Sequence, residues 1–256
     1  MEVKWYGTAS VSIEHEGTKI LFDPFIRMNK KVKPLITVDD YKGADAIFTT
    51  HGHFDHIWSY PEIAKNDPAP FYATKTPVET LKKFGIEEKR LHTVKPGDKI
   101  QIGNMTVKVF QAKHVKIDLK YILSVIPLCV VLCPKIFYIE YLNKKCPENK
   151  ENLGYEIECD GKRVFLMGSF GTVPYETYPT DCDMLVLPYG GCTRVPEITA
   201  PFIKNMMPKS ILITHYDNSF PPATRRMDAE GLKDIVEKQY PGMKVYVPEE
   251  FKPYKV

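Results

Sequence analysis

Short extended runs of largely apolar residues open the chain: Val3-Lys-Trp-Tyr6, Val11-Ser-Ile13 and Lys19-Ile-Leu-Phe22, separated by turn signals at Gly7 and Glu16-Gly17. Short strands between tight turns predict an antiparallel meander. Ala46-Ile-Phe-Thr-Thr50 predicts a further strand. A Pro61-led stretch to Lys65, an extended Phe71-Tyr-Ala73 and a helical pattern from Thr76 to Phe84, stopped by Gly85, come after it. From there strands and helices alternate. Ile100-Gln-Ile102 and Met105-Thr-Val-Lys-Val-Phe110 predict a hairpin around Gly103-Asn104. Strand patterns return at Tyr155-Glu-Ile157, Arg163-Val-Phe-Leu-Met167, Met184-Leu-Val-Leu187, Ile211-Leu-Ile-Thr214 and Lys244-Val-Tyr-Val247, with helices at roughly 197–207 and 224–238. Two groups of strands, each joined to helices that can cover an outer face, predict an α/β (α+β) fold, a four-layer αββα sandwich. Residues 1–256 read as a single domain.

One segment breaks the alternation. From Tyr121 to Cys133 eleven of thirteen residues are apolar, and 136–142 is mostly apolar and aromatic. A membrane-spanning helix needs about 20 predominantly apolar residues, and Pro127, Pro134, Lys135 and Glu140 interrupt this stretch. It therefore reads as a core strand pair or helix, a lid over a pocket, or an interfacial patch.

Composition narrows the class. The chain has 256 residues, 43% hydrophobic and 26% charged, with a net charge of +3, so it is neither disordered nor strongly basic. Lys30-Lys31 and Arg225-Arg226 are scattered pairs rather than a basic stripe, and no nucleic-acid partner is expected. Six cysteines without a CxxC pair fit buried or free thiols in a reducing compartment. The start of the chain lacks a basic region followed by an apolar run, so the expectation is a cytoplasmic protein.

The strongest chemical signal is His51-Gly52-His53-Phe54-Asp55-His56, four potential ligands in six residues directly after the strand 46–50. In an extended or turning chain, residues i and i+2 face the same side, so His51 and His53 can hold one ion, and Asp55 and His56 a second. Gly52 reads as space for metals and substrate. Imidazole and carboxylate suit Zn²⁺, and three protein ligands with an open position make a catalytic site. Two further histidines, His114 and His215, stand near strand ends and supply the missing ligand of each ion. His15 and His92 lie in turn-like or polar contexts and read as solvated or structural.

These motifs resemble the metallo-β-lactamase fold superfamily of metal-dependent hydrolases over most of the chain. Within it, Trp5-Tyr-Gly-Thr-Ala-Ser-Val-Ser-Ile-Glu, Ile20-Leu-Phe-Asp-Pro24, Pro96-Gly-Asp98, Leu187-Pro-Tyr-Gly-Gly191 and His215-Tyr-Asp resemble the branch typified by L-ascorbate-6-phosphate lactonase. The resemblance implies the αββα fold and a two-metal cleft at the sheet edge. Carried over by position, His51, His53 and His114 hold the first ion and Asp55, His56 and His215 the second. Many members carry a metal-bridging Asp after the strand that here ends at Met167, whereas this chain reads Gly168-Ser169. One group of zinc β-lactamases also has Ser there and retains two zincs, so two Zn²⁺ per chain, or Mn²⁺ or another divalent ion, remains the expectation.

Such a site implies hydrolysis by a metal-bound hydroxide, with Asp55 orienting the nucleophile. The substrate is expected to be a small molecule with an ester, lactone or related bond. Phosphodiester hydrolysis on lipid or nucleotide, and metal binding without catalysis, are the alternatives. Tyr189, Tyr216 and Asp217 are candidates for the vicinity of the site, and Arg225 and Arg226 offer guanidinium forks suited to an anionic group, the alternative being a solvated helix start. Residues 115–153 read as an apolar insertion that starts at a metal ligand and so emerges at the cleft rim. Its surface must cover a pocket, a second subunit or a bilayer surface, and the first two rank above peripheral membrane contact.

Overall fold

The structure, a computed structural model, describes residues 1–121, 123–124, 133–171, 175–221 and 224–256. Two seven-stranded sheets form among them. The first runs in the order β14 (Pro253–Lys255), β1 (Glu2–Gly7), β2 (Ser10–His15), β3 (Thr18–Phe22), β4 (Ala46–Phe48), β5 (Phe71–Ala73), β6 (Leu91–Thr93). The second runs β13 (Lys244–Tyr246), β12 (Ser210–Thr214), β11 (Met184–Pro188), β10 (Lys162–Met167), β9 (Asn152–Cys159), β8 (Met105–Ala112), β7 (Lys99–Ile102). In both sheets antiparallel strands give way to parallel ones: β3 to β6 in the first and β10 to β13 in the second pair in parallel. The parallel strands need crossover connections, and most of the helices lie in these.

Side-chain alternation on the strands separates two buried layers. Ile20 and Phe22 of β3 and Ala46 and Phe48 of β4 face the interior between the sheets, with Val107, Tyr155 and Ile157 of the second sheet in the same cluster. Leu21 and Ile47, the residues between them, turn to the other face. There they meet Ile57 of α1 (Phe54–Ile57), Tyr60 and Ile63 of α2 (Tyr60–Asn66) and Leu81 of α3 (Lys75–Lys83). Strands covered on both faces read as near-continuous apolar runs, as Ile20-Leu-Phe22 does. On the second sheet, Phe202 and Ile203 of α5 (Val195–Met206) and Leu232 and Val236 of α6 (Ala229–Gln239) join Leu185, Ile211 and Val245. The layered α/β architecture read from the pattern is thus the observed one.

Differences from the expected elements have local causes. The last helix starts at Ala229, not 224, because the Asp228 side chain caps it by accepting the Gly231 N–H at 2.9 Å. Strands β6 and β14 are three residues each and mostly exposed, with too few apolar residues to leave a pattern. In the insertion, residues 122 and 125–132 of the apolar run lie outside the described residues. The insertion continues as a helix, α4 (Cys133–Lys145). Leu142 and the adjoining Cys146 are fully buried against α1 and its neighbours, whereas Phe137 is 71% exposed. No helix among the described residues is long and apolar enough to cross a membrane.

Candidate metal centre

The site forms where strands of both sheets end. From the first sheet come the residues after β4, and α1 starts immediately after His53, so the chain reverses with Asp55 and His56 on its first turn. From the second come His114 after β8, Ser169 after β10, Gly190 after β11 and His215 after β12. These residues line one cavity of about 250 Å³. Side-chain ligand atoms of His51, His53 and His114 lie within 4.8 Å of one another, and so do those of Asp55, His56 and His215. The two groups are adjacent, with the His51 and His56 rings 3.8 Å apart between centroids.

A buried hydrogen-bond network aims these rings. Asp23, fully buried at the end of β3, accepts the Thr50 N–H at 2.8 Å and the Thr50 hydroxyl at 2.6 Å, and its Oδ2 lies 2.8 Å from His56 Nδ1. His56 therefore donates through Nδ1 and turns Nε2 towards Asp55, 3.7 Å away. The Thr50 hydroxyl, having given its proton to Asp23, accepts from His51 Nδ1 at 3.0 Å. His114 donates Nδ1 to the Val115 carbonyl at 2.8 Å. In each case one ring nitrogen is fixed as a donor, and the other is left with a lone pair directed at the cavity. His51 Nε2 is buried and has no hydrogen-bond partner. An orphaned buried nitrogen is costly unless something else occupies its lone pair, and a divalent cation does so. The donor set, five imidazoles and one carboxylate in two groups of three, fits zinc-class ions.

Electrostatics agree. Burial, reinforced by the surrounding imidazoles, holds the His51 and His53 pKa values below the ordinary histidine value, and burial with His53 beside it brings His114 down to about 4. These rings are neutral, the state that ligates. Burial opposes charge on His56, but the Asp23 and Asp55 carboxylates outweigh it and raise its pKa. Burial alone would raise Asp55, yet His56 and His215 hold its carboxyl well below the usual carboxylate range. His215 Nε2 lies 3.1 Å from Asp55 Oδ2. His215 itself sits at φ +58°, in the left-handed region that non-glycine residues avoid, with its N–H bonded to the Thr8 carbonyl at 2.7 Å.

Two glycines serve the site through close packing. Gly52 does not provide space for metals, contrary to the expectation from sequence: a Cβ there would stand 2.4 Å from the Pro147 carbonyl oxygen, so its smallness admits the chain after α4. A Cβ on Gly168 would meet the Thr50 hydroxyl at 1.9 Å, inside the hydrogen-bond network of Asp23.

The four other candidates divide. Ser169 lines the cavity, but its hydroxyl accepts the Val115 N–H at 2.9 Å and so secures the His114 loop. Asp217 reaches the wall while accepting the Thr8 N–H at 3.0 Å and pairing with Arg27 at 3.3 Å. Tyr189 and Tyr216 are buried in the core behind the wall, and Tyr216 stacks on Trp5 and donates to the Pro248 carbonyl at 2.7 Å. Sequence reasoning missed Asp23 and Thr50, whose roles exist only through contacts across the sheet. Arg225 lines the cavity with its guanidinium 5.2 Å from the Tyr121 ring centroid, and Arg226 faces Tyr216 instead. Ile117, Tyr121, Ile139 and Asn143 of the insertion complete the wall.

Similarity to known proteins agrees with this architecture. Residues 18–216 match the model of a beta-lactamase superfamily domain. A UPF0173 metal-dependent hydrolase from Bacillus cytotoxicus is 27% identical over 225 residues, covering 86% of this chain and 87% of the relative. Among solved structures, the metallo hydrolase Igni18 from Ignicoccus hospitalis superposes with a TM-score of 0.71 at 22% identity, over 99% of this chain and 97% of that one. The metallo-beta-lactamase fold protein YhfI from Bacillus subtilis does so with a TM-score of 0.67 at 12% identity, over 99% and 98%. With the family model spanning most of the chain and both sheets, this protein belongs to the β-lactamase superfamily of metal-dependent hydrolases.

Proposed function

We propose that the protein hydrolyses an ester, lactone or related bond of a small anionic molecule, using two divalent ions, zinc foremost, held by His51, His53 and His114 and by Asp55, His56 and His215. The observation that carries this reading is the pair of adjacent three-ligand groups in one cavity, with the His51 Nε2 lone pair aimed into it. When bound, such ions activate water and polarise the scissile group. Asp55 stays ionised, and the carboxylate oxygen that it does not give to an ion would accept a hydrogen bond from the attacking water. Its low basicity makes it an orienting group more than a proton store. Val115, Ile117, Ile139, Phe170 and Phe220 exclude water from the rest of the cavity.

Arg225 supports an anionic substrate. Its guanidinium stands at the cavity wall, and among the described residues no carboxylate pairs with it. A substrate carboxylate or phosphate would complete a bidentate contact there. Within the proposed bond classes, the resemblance of the N-terminal segment to L-ascorbate-6-phosphate lactonase favours a lactone. The free buried thiols Cys146, Cys159, Cys182 and Cys192 accord with a reducing, cytoplasmic setting. A phosphodiesterase acting on lipid is the second reading, favoured by the exposed Phe137, Tyr138 and Tyr141 beside the cavity roof.

Elemental analysis followed by a panel of ester, lactone, lactam and phosphodiester substrates tests the proposal. Turnover of esters or lactones that requires metal and falls by orders of magnitude in Asp55→Asn, while the fold persists, is the expected result. Undiminished activity in metal-free protein would refute it, and activity confined to long-chain phosphodiesters would select the second reading.

A further inference from the structure

Three groups of histidine, cysteine and acidic side chains close enough to share an ion occur among the described residues, and two of them make up the candidate metal centre. The third lies elsewhere: His15, Cys159 and Asp160, whose ligand atoms also fall within 4.8 Å of one another. We propose that these three side chains, with solvent completing the coordination, hold a separate zinc-class ion that fastens the two sheets together at the end of the molecule remote from the catalytic cavity.

The position is a consequence of the topology. His15 ends β2 in the first sheet, and Cys159 ends β9 in the second. Leu153, near the start of β9, donates its N–H to the Thr50 carbonyl beside the catalytic cluster. Cys159 is six residues further along that strand, roughly 20 Å away at about 3.3 Å per residue. Each ligand flanks a tight left-handed turn, Glu16-Gly17 after His15 and Asp160-Gly161 after Cys159. A third turn, Gly103-Asn104, sits against both: the Asn104 side chain donates to the His15 carbonyl at 3.3 Å, and the Cys159 thiol lies 3.1 Å from the Asn104 carbonyl. The three turns bring the ligands together from strands distant in sequence.

The donor chemistry selects the ion. Imidazole, thiolate and carboxylate together suit zinc and its neighbours, whereas magnesium and calcium prefer oxygen alone. Tetrahedral zinc, with bonds of about 2.0–2.3 Å, spaces its ligand atoms roughly 3.3–3.6 Å apart. His15 Nε2 and Asp160 Oδ2 are already 2.7 Å apart. The Asp160 carboxylate is exposed, so this pair need open by under an ångström to reach that spacing, while Cys159 is buried at 5% exposure. An adjoining open groove is lined by the carboxylates of Glu2, Glu14 and Glu16 together with Lys19, and Glu14 pairs with Lys4 at 3.5 Å, so Glu2 and Glu16 are the acidic groups left beside the site. Burial and the carboxylates of Asp160 and Glu16 keep the Cys159 thiol protonated without an ion. Binding therefore forms the metal–sulfur bond as the S–H bond breaks and releases that proton to solvent.

The catalytic groups contain no cysteine, which separates the two sites spectroscopically. Titration of the full-length protein with Co²⁺ should produce a near-ultraviolet thiolate-to-metal charge-transfer band that persists in the double variant His51→Ala/His53→Ala. Cys159→Ser should abolish the band yet leave hydrolysis unchanged, and His15→Gln or Asp160→Asn, which keep the thiol, should weaken cobalt affinity for that band by about tenfold or more. Cobalt bound without any charge-transfer band, a band that survives Cys159→Ser, or affinity unaltered by His15→Gln and Asp160→Asn would overturn the assignment.

Discussion

Asp23 illustrates how a single carboxylate can govern a site it does not line. Its two oxygens take the Thr50 N–H, the Thr50 hydroxyl and His56 Nδ1, so it fixes one ligand directly and His51 through the Thr50 hydroxyl. Asp23→Asn would keep the volume but place an amide donor against one of these donors. Zinc affinity, measured by competition with a chromophoric chelator, should drop about 10–100-fold, the usual effect of disturbing a partner of a ligand. His114 offers a pH test. In the metal-free folded protein it gains its proton only near pH 4, because burial and His53 depress it, whereas the unfolded chain does so near about 6.5. Between those values the unfolded state binds the extra proton, so this group lowers stability as pH falls from about 6.5 to about 4. His56, with its raised pKa, acts in the opposite sense, with stability present at low pH and lost as pH rises through its folded value. Thermal melts of metal-free protein should therefore lose less stability over that interval in His114→Gln than in wild type. At this scale the His51–His56 cluster was legible in sequence because its ligands are local. Asp23 was not, since an Asp before a Pro signals a turn wherever it occurs.

The elements that position these residues were legible wherever a strand carried a run of apolar or β-favouring residues, even one of three residues such as Ala46–Phe48. Ile20-Leu-Phe22, Ala46-Ile-Phe48 and Met184-Leu-Val-Leu187 announce strands buried on both faces, and that is how they pack. Strand β6, Leu91-His-Thr93, has one apolar residue and lies largely exposed, and so offers no such run. The insertion was legible as an anomaly but not as a role, because apolar residues there divide between two tasks. Leu142 and Cys146 pack into the layer below, Tyr121 and Ile139 wall the cavity, and Phe137 faces solvent. Asp118 ties the start of the segment to the loop before α5, accepting the Thr193 N–H at 2.6 Å. Leu142→Ala should then cost about 2–5 kcal/mol, as for other fully buried leucines. Phe137→Ser should leave stability within about 0.5 kcal/mol. Ile139→Ala should instead raise KM, since the side chain lines the cavity. Denaturant unfolding and steady-state kinetics on the three variants distinguish these roles, and equal destabilisation by Phe137→Ser and Leu142→Ala would contradict the division.

Across the whole molecule, the candidate metal cavity is a seam. His51, His53, Asp55 and His56 come after a strand of the first sheet, and His114 and His215 after strands of the second, so each three-ligand group contains members from both. A metal ion bound by either group joins the sheets at this edge, in addition to the apolar interior between them. An ion that binds the folded state alone stabilises it by RT ln(1 + [L]/Kd), about 2.7 kcal/mol at a hundredfold excess over Kd. For a chain of 256 residues, each kcal/mol moves the melting temperature by about 2–4 °C. Zinc at that excess should therefore raise the Tm of chelator-treated protein by roughly 5–11 °C. The measurement belongs in the Cys159→Ser background, where the proposed clip at the far end cannot contribute. His114→Ala should remove much of the gain by taking away the second sheet's ligand from the first group. An unchanged Tm with zinc would mean that the two sheets are not joined by metal at this seam, however well the imidazoles converge.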